Sequence, residues 1–148
     1  MLFISHRGNI DGICEYENTI PRIQNVLSLG YDIEIDIWFI EGKYFLGHDE
    51  PKEQIVNLEI LFNQHVWVHA KTILTLNRLV NVSPNVFFHN SDDATLTKSL
   101  RIWTFAGKPI HNNSIACLPE NCNYSDKELS QCYGICSDFV DKYKEKFK

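Results

Sequence analysis

The feature that most constrains the fold is a regular alternation of short apolar strands and amphipathic helices along the 148 residues. The chain opens with the strand-like MLFIS, and YDIEIDIWFI alternates polar and apolar residues at period two. Between them lies IPRIQNVLSLG, with apolar residues near helical spacing, Pro21 in the first turn and Gly30 at the end. This alternation predicts an α/β fold with a mainly parallel sheet.

The remainder of the chain extends the same pattern. We predict a small hairpin around Glu41-Gly42, after the second strand, and about seven core strands in all. The stretch ATLTKSL follows two aspartates that can cap a helix, so a helix is expected there. No linker or repeat is visible, which predicts a single domain over residues 1–148. A (β/α)8 barrel usually needs about 200 residues or more, so a barrel in this chain must be trimmed.

Composition and charge narrow the class of partner. A net charge of −5 argues against a nucleic-acid binder held by bulk charge. No apolar run approaches the roughly 20 residues that span a bilayer, and the short apolar N-terminus is unlike a signal peptide. The five cysteines are odd in number and form no C-x-x-C pair, which favours reduced thiols. We therefore expect a cytoplasmic protein that acts on a small molecule.

Polar side chains gather where the predicted strands end. Four of the six histidines lie at or just past such ends: His6, His48, His69 and His89. In parallel α/β folds the carboxyl ends of the strands meet at one edge of the sheet, and ligands bind there. A single histidine at a strand end is more often a hydrogen-bonded or surface residue than a catalytic one. The prediction of a site here therefore depends on the four histidines being clustered at strand ends.

Glu34 and Asp36 stand two residues apart on the second strand, so both side chains point to one face. Two carboxylates on an interior face repel each other unless a cation or a shared proton relieves them. Hard divalent ions such as Mg²⁺ or Ca²⁺ suit such oxygen ligands. The alternative is an amphipathic edge strand whose acidic face lies in water while Ile33, Ile35 and Ile37 form the core. The spacing alone leaves both interpretations open.

Further residues at the strand ends could supply the rest of the chemistry. His6 and His48 could share acid and base roles near neutral pH. Arg7 offers a fork of donors suited to a phosphate, and Lys71 could meet an anion, although a surface salt bridge or a solvated side chain would also explain them. Cys14 would imply a cysteine-based hydrolase, but no supporting motif surrounds it.

Taken together, the stretches SHRGN, ENTIPRIQNVLSLGYDIEIDIW and FLGHDEP resemble the glycerophosphodiester phosphodiesterase family. More broadly, they resemble the phospholipase C-like phosphodiesterases, which are built on a TIM barrel. The resemblance is tight from Ser5 to Pro51, and YGICSDF resembles the family's last strand. It implies a trimmed TIM-barrel-like fold for this chain.

The resemblance also implies roles for individual residues. The family's first-strand and hairpin histidines form an acid/base pair, which corresponds to His6 and His48. The arginine beside the first histidine holds the phosphate, which corresponds to Arg7. The carboxylates of the E-x-D pattern bind a divalent metal, Mg²⁺ or Ca²⁺, which corresponds to Glu34 and Asp36.

The chain departs from the family pattern in ligand set and in length. Where the family has a glutamate in an E-x-K pattern, this chain has His69 before Lys71. An imidazole ligand would shift the metal preference towards Mn²⁺ or Zn²⁺. Alternatively, His69 makes no metal contact and Glu120 or a water completes the shell. The chain also has little room for long βα loops, and the possible pocket residues are Asn18, His89 and Trp103.

We therefore expect a metal-dependent enzyme that hydrolyses a glycerophosphodiester, or a related headgroup or sugar phosphodiester, with two histidines as acid and base. The alternative is a catalytically inactive barrel that binds a phosphorylated ligand or a protein partner. The replacement at His69 and the short chain favour that alternative. The retention of both histidines together with Arg7 and Lys71 favours the enzyme.

Overall fold

A computed structural model describes residues 1–148 as a mixed α/β structure in which one curled sheet contains all ten strands and the helices are few and short. In chain order the elements are β1 (Leu2–His6), α1 (Ile20–Ser28), β2 (Asp32–Ile40), β3 (Lys43–Leu46), β4 (Glu53–Ile55), β5 (Val66–Ala70), α2 (Ile73–Leu79), β6 (Asn85–Phe87), β7 (Ala94–Leu96), β8 (Ile102–Thr104), β9 (Ser114–Cys117), α3 (Asp126–Gln131), β10 (Gly134–Ser137) and α4 (Val140–Lys146). Two 3₁₀ turns lie at Leu58–Phe62 and Pro119–Asn121. The predicted α/β class is confirmed.

Seven of the strands run parallel to their neighbours, in the order β6, β5, β2, β1, β10, β9 and β8. β7 is not among these seven strands; it pairs antiparallel with β8 at one end of this order. Two hydrogen bonds join the β7 segment to β6, which lies at the other end of the order, and to the residue that follows β6. The Lys98 amide donates to the Val86 carbonyl (2.9 Å), and the Thr95 hydroxyl donates to the Phe88 carbonyl (2.8 Å). The sheet is therefore curled, and no strand ladder links its two ends.

Strand β2 buries both of its faces. On one face its isoleucines pack against Ile23 and Val26 of α1; they are Ile33, Ile35 and Ile37. On the other face Glu34 and Asp36 are 3% and 1% exposed. The alternative of an acidic face in water is therefore wrong, because the curl of the sheet encloses that face.

Apolar side chains fill the inner face of the sheet beside Glu34. The largest are Trp67, Phe87 and Trp103, and the ring centroids of Phe87 and Trp103 are 4.4 Å apart. The thiols of Cys117 and Cys136 belong to the same cluster, on neighbouring strands in register. This cluster forms the apolar floor on which the polar strand ends stand.

Two local predictions have opposite outcomes. The predicted hairpin is confirmed, with Glu41 and Gly42 in left-handed conformations between β2 and β3. The predicted helix over ATLTKSL is wrong, because residues 94–96 form β7. β-Branched Thr95 lies opposite Trp103 of β8, and Thr97 Oγ1 accepts from the Arg101 amide (3.0 Å), so pairing and a side-chain turn override the helix cap.

The expected state of the cysteines agrees with the structure, in which all five are free thiols. Three of them are buried: Cys117, Cys132 and Cys136. None of the helices combines the length and the apolar character needed to cross a bilayer.

Candidate functional site

The carboxyl ends of β1, β2 and β5 bring the predicted site residues together. The register places His6 opposite Glu34 and Asp36 opposite His69. These four side chains line a cavity of ≈ 130 Å³. A larger cavity, ≈ 560 Å³, lies between α1 and residues 53–63 and contains none of the predicted site residues.

Glu34, Asp36 and His69 form the one cluster with metal-ligand geometry. Each offers a donor atom, and the three donors lie within 4.8 Å of one another. All three residues are buried, and two carboxylates with an imidazole make a suitable donor set for a divalent ion. The residues present therefore fit the metal that the sequence predicts.

The two carboxylates of the cluster have different electrostatic surroundings. Burial, followed by the charge of Asp36, raises the pKa of Glu34. Burial also acts to raise the pKa of Asp36, but the hydrogen bond and charge of His69, with the charges of Lys71 and Arg7, lower it overall. Asp36 therefore holds the negative charge, and Glu34 is the carboxylate that a bound cation would relieve.

Asp36 is fixed on every side by donors. The Asn18 amide donates to Asp36 Oδ2 (2.9 Å), and its oxygen accepts from the Asp36 backbone amide (2.9 Å). Asp36 Oδ1 accepts from Lys71 Nζ (3.1 Å) and lies 2.9 Å from His69 Nδ1. Asn18 has a left-handed backbone with φ of 53°. Asn18, predicted as a possible pocket residue, thus holds Asp36 in place and does not itself line the cavity.

Arg7 lies in the same cavity in a strained conformation. Its φ is 52°, and its backbone amide donates to Glu34 Oε2 (3.3 Å). Arg7 Nε is 3.2 Å from Asp36 Oδ2, yet it is buried without a hydrogen-bond partner. Arg7 Nη1 is 3.7 Å from Glu17 Oε2. The guanidinium thus has an unused donor at the site.

His6 is held by an aspartate that the sequence analysis did not single out. Its Nδ1 lies 2.7 Å from Oδ1 of Asp138, and the same oxygen accepts from Asn9 Nδ2 (2.7 Å). Burial acts to lower the pKa of His6, but Asp138 and Glu34 outweigh it and raise that pKa to about 9. Asp138 directly follows β10, so its only sequence signal was the polar end of YGICSDF.

The hairpin delivers His48 to the same cavity as His6. Its Nδ1 lies 2.7 Å from Asp49 Oδ1, and 38% of its side chain is exposed. Burial lowers the pKa of His48, opposed by the charge of Asp36. Gly47, just before it, has φ of 145°, and a Cβ there would lie 2.0 Å from the Glu50 carbonyl oxygen, so glycine is required.

Aromatic rings form the opposite wall. His69 stacks on His89 with centroids 4.2 Å apart and on Phe87 at 5.3 Å, and Phe105 meets His89 edge-on. Burial, then the charge of His69, lowers the pKa of His89 to about 4. Trp103 is buried in the floor of the cavity. His89 and Trp103 therefore do line the pocket, as expected.

Three predicted residues do not line this cavity, and Asn18, which contacts Asp36, is the first of them. Lys71 borders an adjoining cavity of ≈ 260 Å³ and reaches the site through Asp36. Glu120 is hydrogen-bonded to Ser137 and to the backbone of Asp138, and it is not part of the ligand cluster. The structure thus brings together the predicted groups except Glu120.

The chain was compared with protein-family models, with curated proteins and with solved structures, and no match was found. The functional interpretation therefore depends on the site residues and their geometry.

Proposed function

We propose that the protein is a metal-dependent phosphodiesterase of the glycerophosphodiester phosphodiesterase type, acting on a small or headgroup-type phosphodiester. The observation that carries the proposal is the buried cluster of Glu34, Asp36 and His69, with donors within 4.8 Å of one another. His6 and Arg7 line the same cavity, so acid/base and anion-binding groups lie beside the ligands.

The curled sheet supports the finer fold assignment, a trimmed TIM barrel. Seven parallel strands follow one another around the curl in chain order, as barrel strands do. The gap between β6 and β8 is bridged by β7 instead of by a further parallel strand. The site lies at the carboxyl ends of the strands, where barrel enzymes hold their active sites.

Glu34, Asp36 and His69 would hold the ion. The chemistry that a bound ion would supply there is Lewis-acid chemistry, which would draw charge from a phosphoryl oxygen and orient the diester. The imidazole of His69 favours Mn²⁺ or Zn²⁺ over Ca²⁺, whereas two carboxylates alone would suit Mg²⁺ or Ca²⁺.

The chain's own residues supply the remaining chemistry. Arg7 and Lys71 neutralise charge that grows on the phosphoryl oxygens in the transition state. One of His6 and His48 takes a proton from the nucleophile, a substrate hydroxyl or water, and the other protonates the leaving alkoxide. Each of these histidines has its Nδ1 beside an aspartate oxygen at 2.7 Å, which leaves Nε2 for the substrate.

One observation favours the alternative of a binding module. Asp36 is already neutralised by Lys71 and His69 at hydrogen-bond distance, with Arg7 Nε 3.2 Å away. This arrangement needs no ion to stabilise the carboxylate. A phosphorylated ligand could then bind to the cations without turnover.

The test is hydrolysis of bis(p-nitrophenyl) phosphate and glycerophosphocholine after EDTA treatment, followed by addition of Mg²⁺, Ca²⁺, Mn²⁺ or Zn²⁺ in turn. We expect metal-restored turnover, and a loss of about 100-fold or more in kcat for His6→Ala or His48→Ala. His65→Ala is the matched control, because His65 is exposed and bonded to Asp32 outside the site cavity. Wild-type rates in both site variants would refute the mechanism.

A calorimetric titration with Mn²⁺ separates the two candidate functions. The phosphodiesterase requires that the wild type binds the ion and that Glu34→Gln binds it at least about tenfold more weakly. Binding of inorganic phosphate without Mn²⁺ binding or turnover would favour the binding module.

A further inference from the structure

The carboxylate of Glu120 is devoted to one short segment of backbone. Its Oε1 accepts from the Asp138 amide (2.8 Å), and both oxygens lie 3.0 Å from Ser137 Oγ. No basic side chain lies within ion-pair distance of it, so neutral donors are its only direct partners. Donors from two adjacent residues bond to this one side chain, so its position fixes the geometry of residues 137–138.

The chain is strained where it delivers Glu120 to this position. Leu118 has φ of 50° and ψ of 53°, a left-handed conformation that a leucine rarely adopts. Its backbone amide still donates to the Cys136 carbonyl (2.7 Å), so the turn stays attached to β10. Strained backbone persists where the surrounding structure requires it and is concentrated at functional sites.

The segment that Glu120 fixes is the one that holds His6. The Ser137 hydroxyl, which donates to Glu120, accepts from the Phe139 amide (2.9 Å), so the residues on both sides of Asp138 are tied down. Asp138 then holds His6 Nδ1 at 2.7 Å. A chain of direct contacts thus runs from Glu120 to the imidazole.

We propose that Glu120 is a positioning residue that orients His6 through the backbone and side chain of Asp138. Its effect on turnover rests on the proposed function, but its effect on the His6–Asp138 contact does not. Glu120 acts by hydrogen-bond geometry, so glutamine, which keeps an acceptor oxygen of the same reach, substitutes for it and alanine does not.

The test compares Glu120→Ala, Glu120→Gln and Glu128→Ala. Glu128 forms the capping box of α3 with Ser125, so its loss removes a hydrogen-bonded carboxylate that does not touch Asp138. Proton NMR follows the Nδ1 proton of His6, which is shifted downfield by its carboxylate partner and is assigned by its loss in Asp138→Asn. We expect this signal to move or broaden in Glu120→Ala only.

Kinetics with the preferred ion provide the second readout. We expect Glu120→Ala to lower kcat about tenfold to a hundredfold with KM changed less than about twofold, because misplacing a catalytic group affects the rate more than binding. Glu120→Gln should restore most of the rate, and Glu128→Ala should leave it unchanged. A Glu120→Gln variant as impaired as Glu120→Ala would show that the charge matters and would overturn the proposal.

The NMR comparison decides the proposal even if the wild type hydrolyses no diester. An unchanged His6 signal in folded Glu120→Ala refutes it in either case. If Glu120→Ala does not fold, Ser137→Ala removes the hydroxyl that links Glu120 to the Phe139 amide. That variant should shift the same signal to a smaller extent, and no shift would count against the proposal.

Discussion

The two walls of the site cavity are built differently. The charged wall comes from β1, β2 and β5, strands of five, nine and five residues. The aromatic wall comes from β6, β8 and the residues after them, where β6, β7 and β8 have three residues each and no α-helix connects them. The residues of the charged wall therefore lie on longer strands, which pair with their neighbours over more residues than the strands of the aromatic wall do.

This difference follows from what each wall must hold. Buried charges have to be matched by partners at fixed distances, and long strands in register provide such positions. Aromatic rings tolerate small displacements, since stacking and edge-on contacts are favourable over a range of centroid separations. A short, helix-poor segment is therefore sufficient to position the aromatic wall.

The strongest test of the comparison removes one carboxylate from the charged wall and one from the segment that carries the aromatic wall. Asp36→Ala leaves Lys71 with no acidic partner and Arg7 with Glu17 as its only ion-pair partner, so we expect the free energy of unfolding to fall by about 3–5 kcal/mol. Asp93→Ala, near β7, removes a carboxylate that is 72% exposed and paired with Lys108, so we expect a change within about 1 kcal/mol. Urea unfolding followed by circular dichroism measures both. Similar losses in the two variants would contradict the unequal roles of the two walls.

The sequence predicted most of the charged wall, because its signals are local. Alternation at period two predicted which residues of β2 share a face, and strand-end histidines predicted the position of the site. Burial of both faces of β2 could not be predicted, because the enclosing elements are distant in sequence. The His6–Asp138 contact joins residues 132 positions apart, and only the folded chain reveals it.

The aromatic wall was harder to predict, because its strands are short. The three residues of β7 carry too little pattern to distinguish a strand from a helix, and the preceding aspartates indicated a helix. Pairing with β8 decided the outcome. Glu120 was predicted as a possible metal ligand, but it lies in the turn after β9, and tertiary contacts direct it to Asp138 and away from the metal ligands.

A smaller effect is expected from changing the aromatic wall itself. Phe87→Leu keeps an apolar side chain but loses the stacking of Phe87 on Trp103 and His69, so we expect a loss of stability of about 1 kcal/mol. If the site binds Mn²⁺, its affinity should also fall a few-fold, because His69 is less firmly oriented.

Phe39→Leu is the control for that substitution. Phe39 packs against Tyr44 in the β2–β3 hairpin, with centroids 4.9 Å apart, and does not line the site cavity. Calorimetry with Mn²⁺ should show unchanged affinity in this variant. Equal losses of affinity in Phe87→Leu and Phe39→Leu would show that His69 does not depend on the aromatic wall.

The smallest expected effect concerns left-handed backbone, which occurs both beside the charged wall, at Arg7, and in the segment of the aromatic wall, at Leu100. Leu100 has φ of 62° and is 68% exposed in the turn between β7 and β8, where its side chain holds nothing in place. Relief of a left-handed conformation gains about 1–2 kcal/mol, and the extra freedom of glycine in the unfolded chain costs about 0.5–1 kcal/mol. The net gain lies between about 0 and 1.5 kcal/mol, so Leu100→Gly should raise the free energy of unfolding by about 0.7 kcal/mol, measured by urea unfolding. Lys98→Gly, in the same turn without positive φ, should lower it.

Substitution of Arg7 by glycine, in contrast, is expected to impair ligand binding. Arg7 has φ of 52°, so glycine relieves similar strain, but the variant loses the guanidinium beside Glu34 and Asp36. We expect Arg7→Gly to bind inorganic phosphate at least about tenfold more weakly than the wild type, because a charge-assisted donor is lost. A tolerated Arg7→Gly or a destabilised Leu100→Gly would mean that strain is not tied to function on the charged wall. The expected pair of results would mean that the left-handed backbone at Arg7 is needed to place a side chain that binds a ligand. At Leu100 the same strain only lowers stability, and a substitution can remove it.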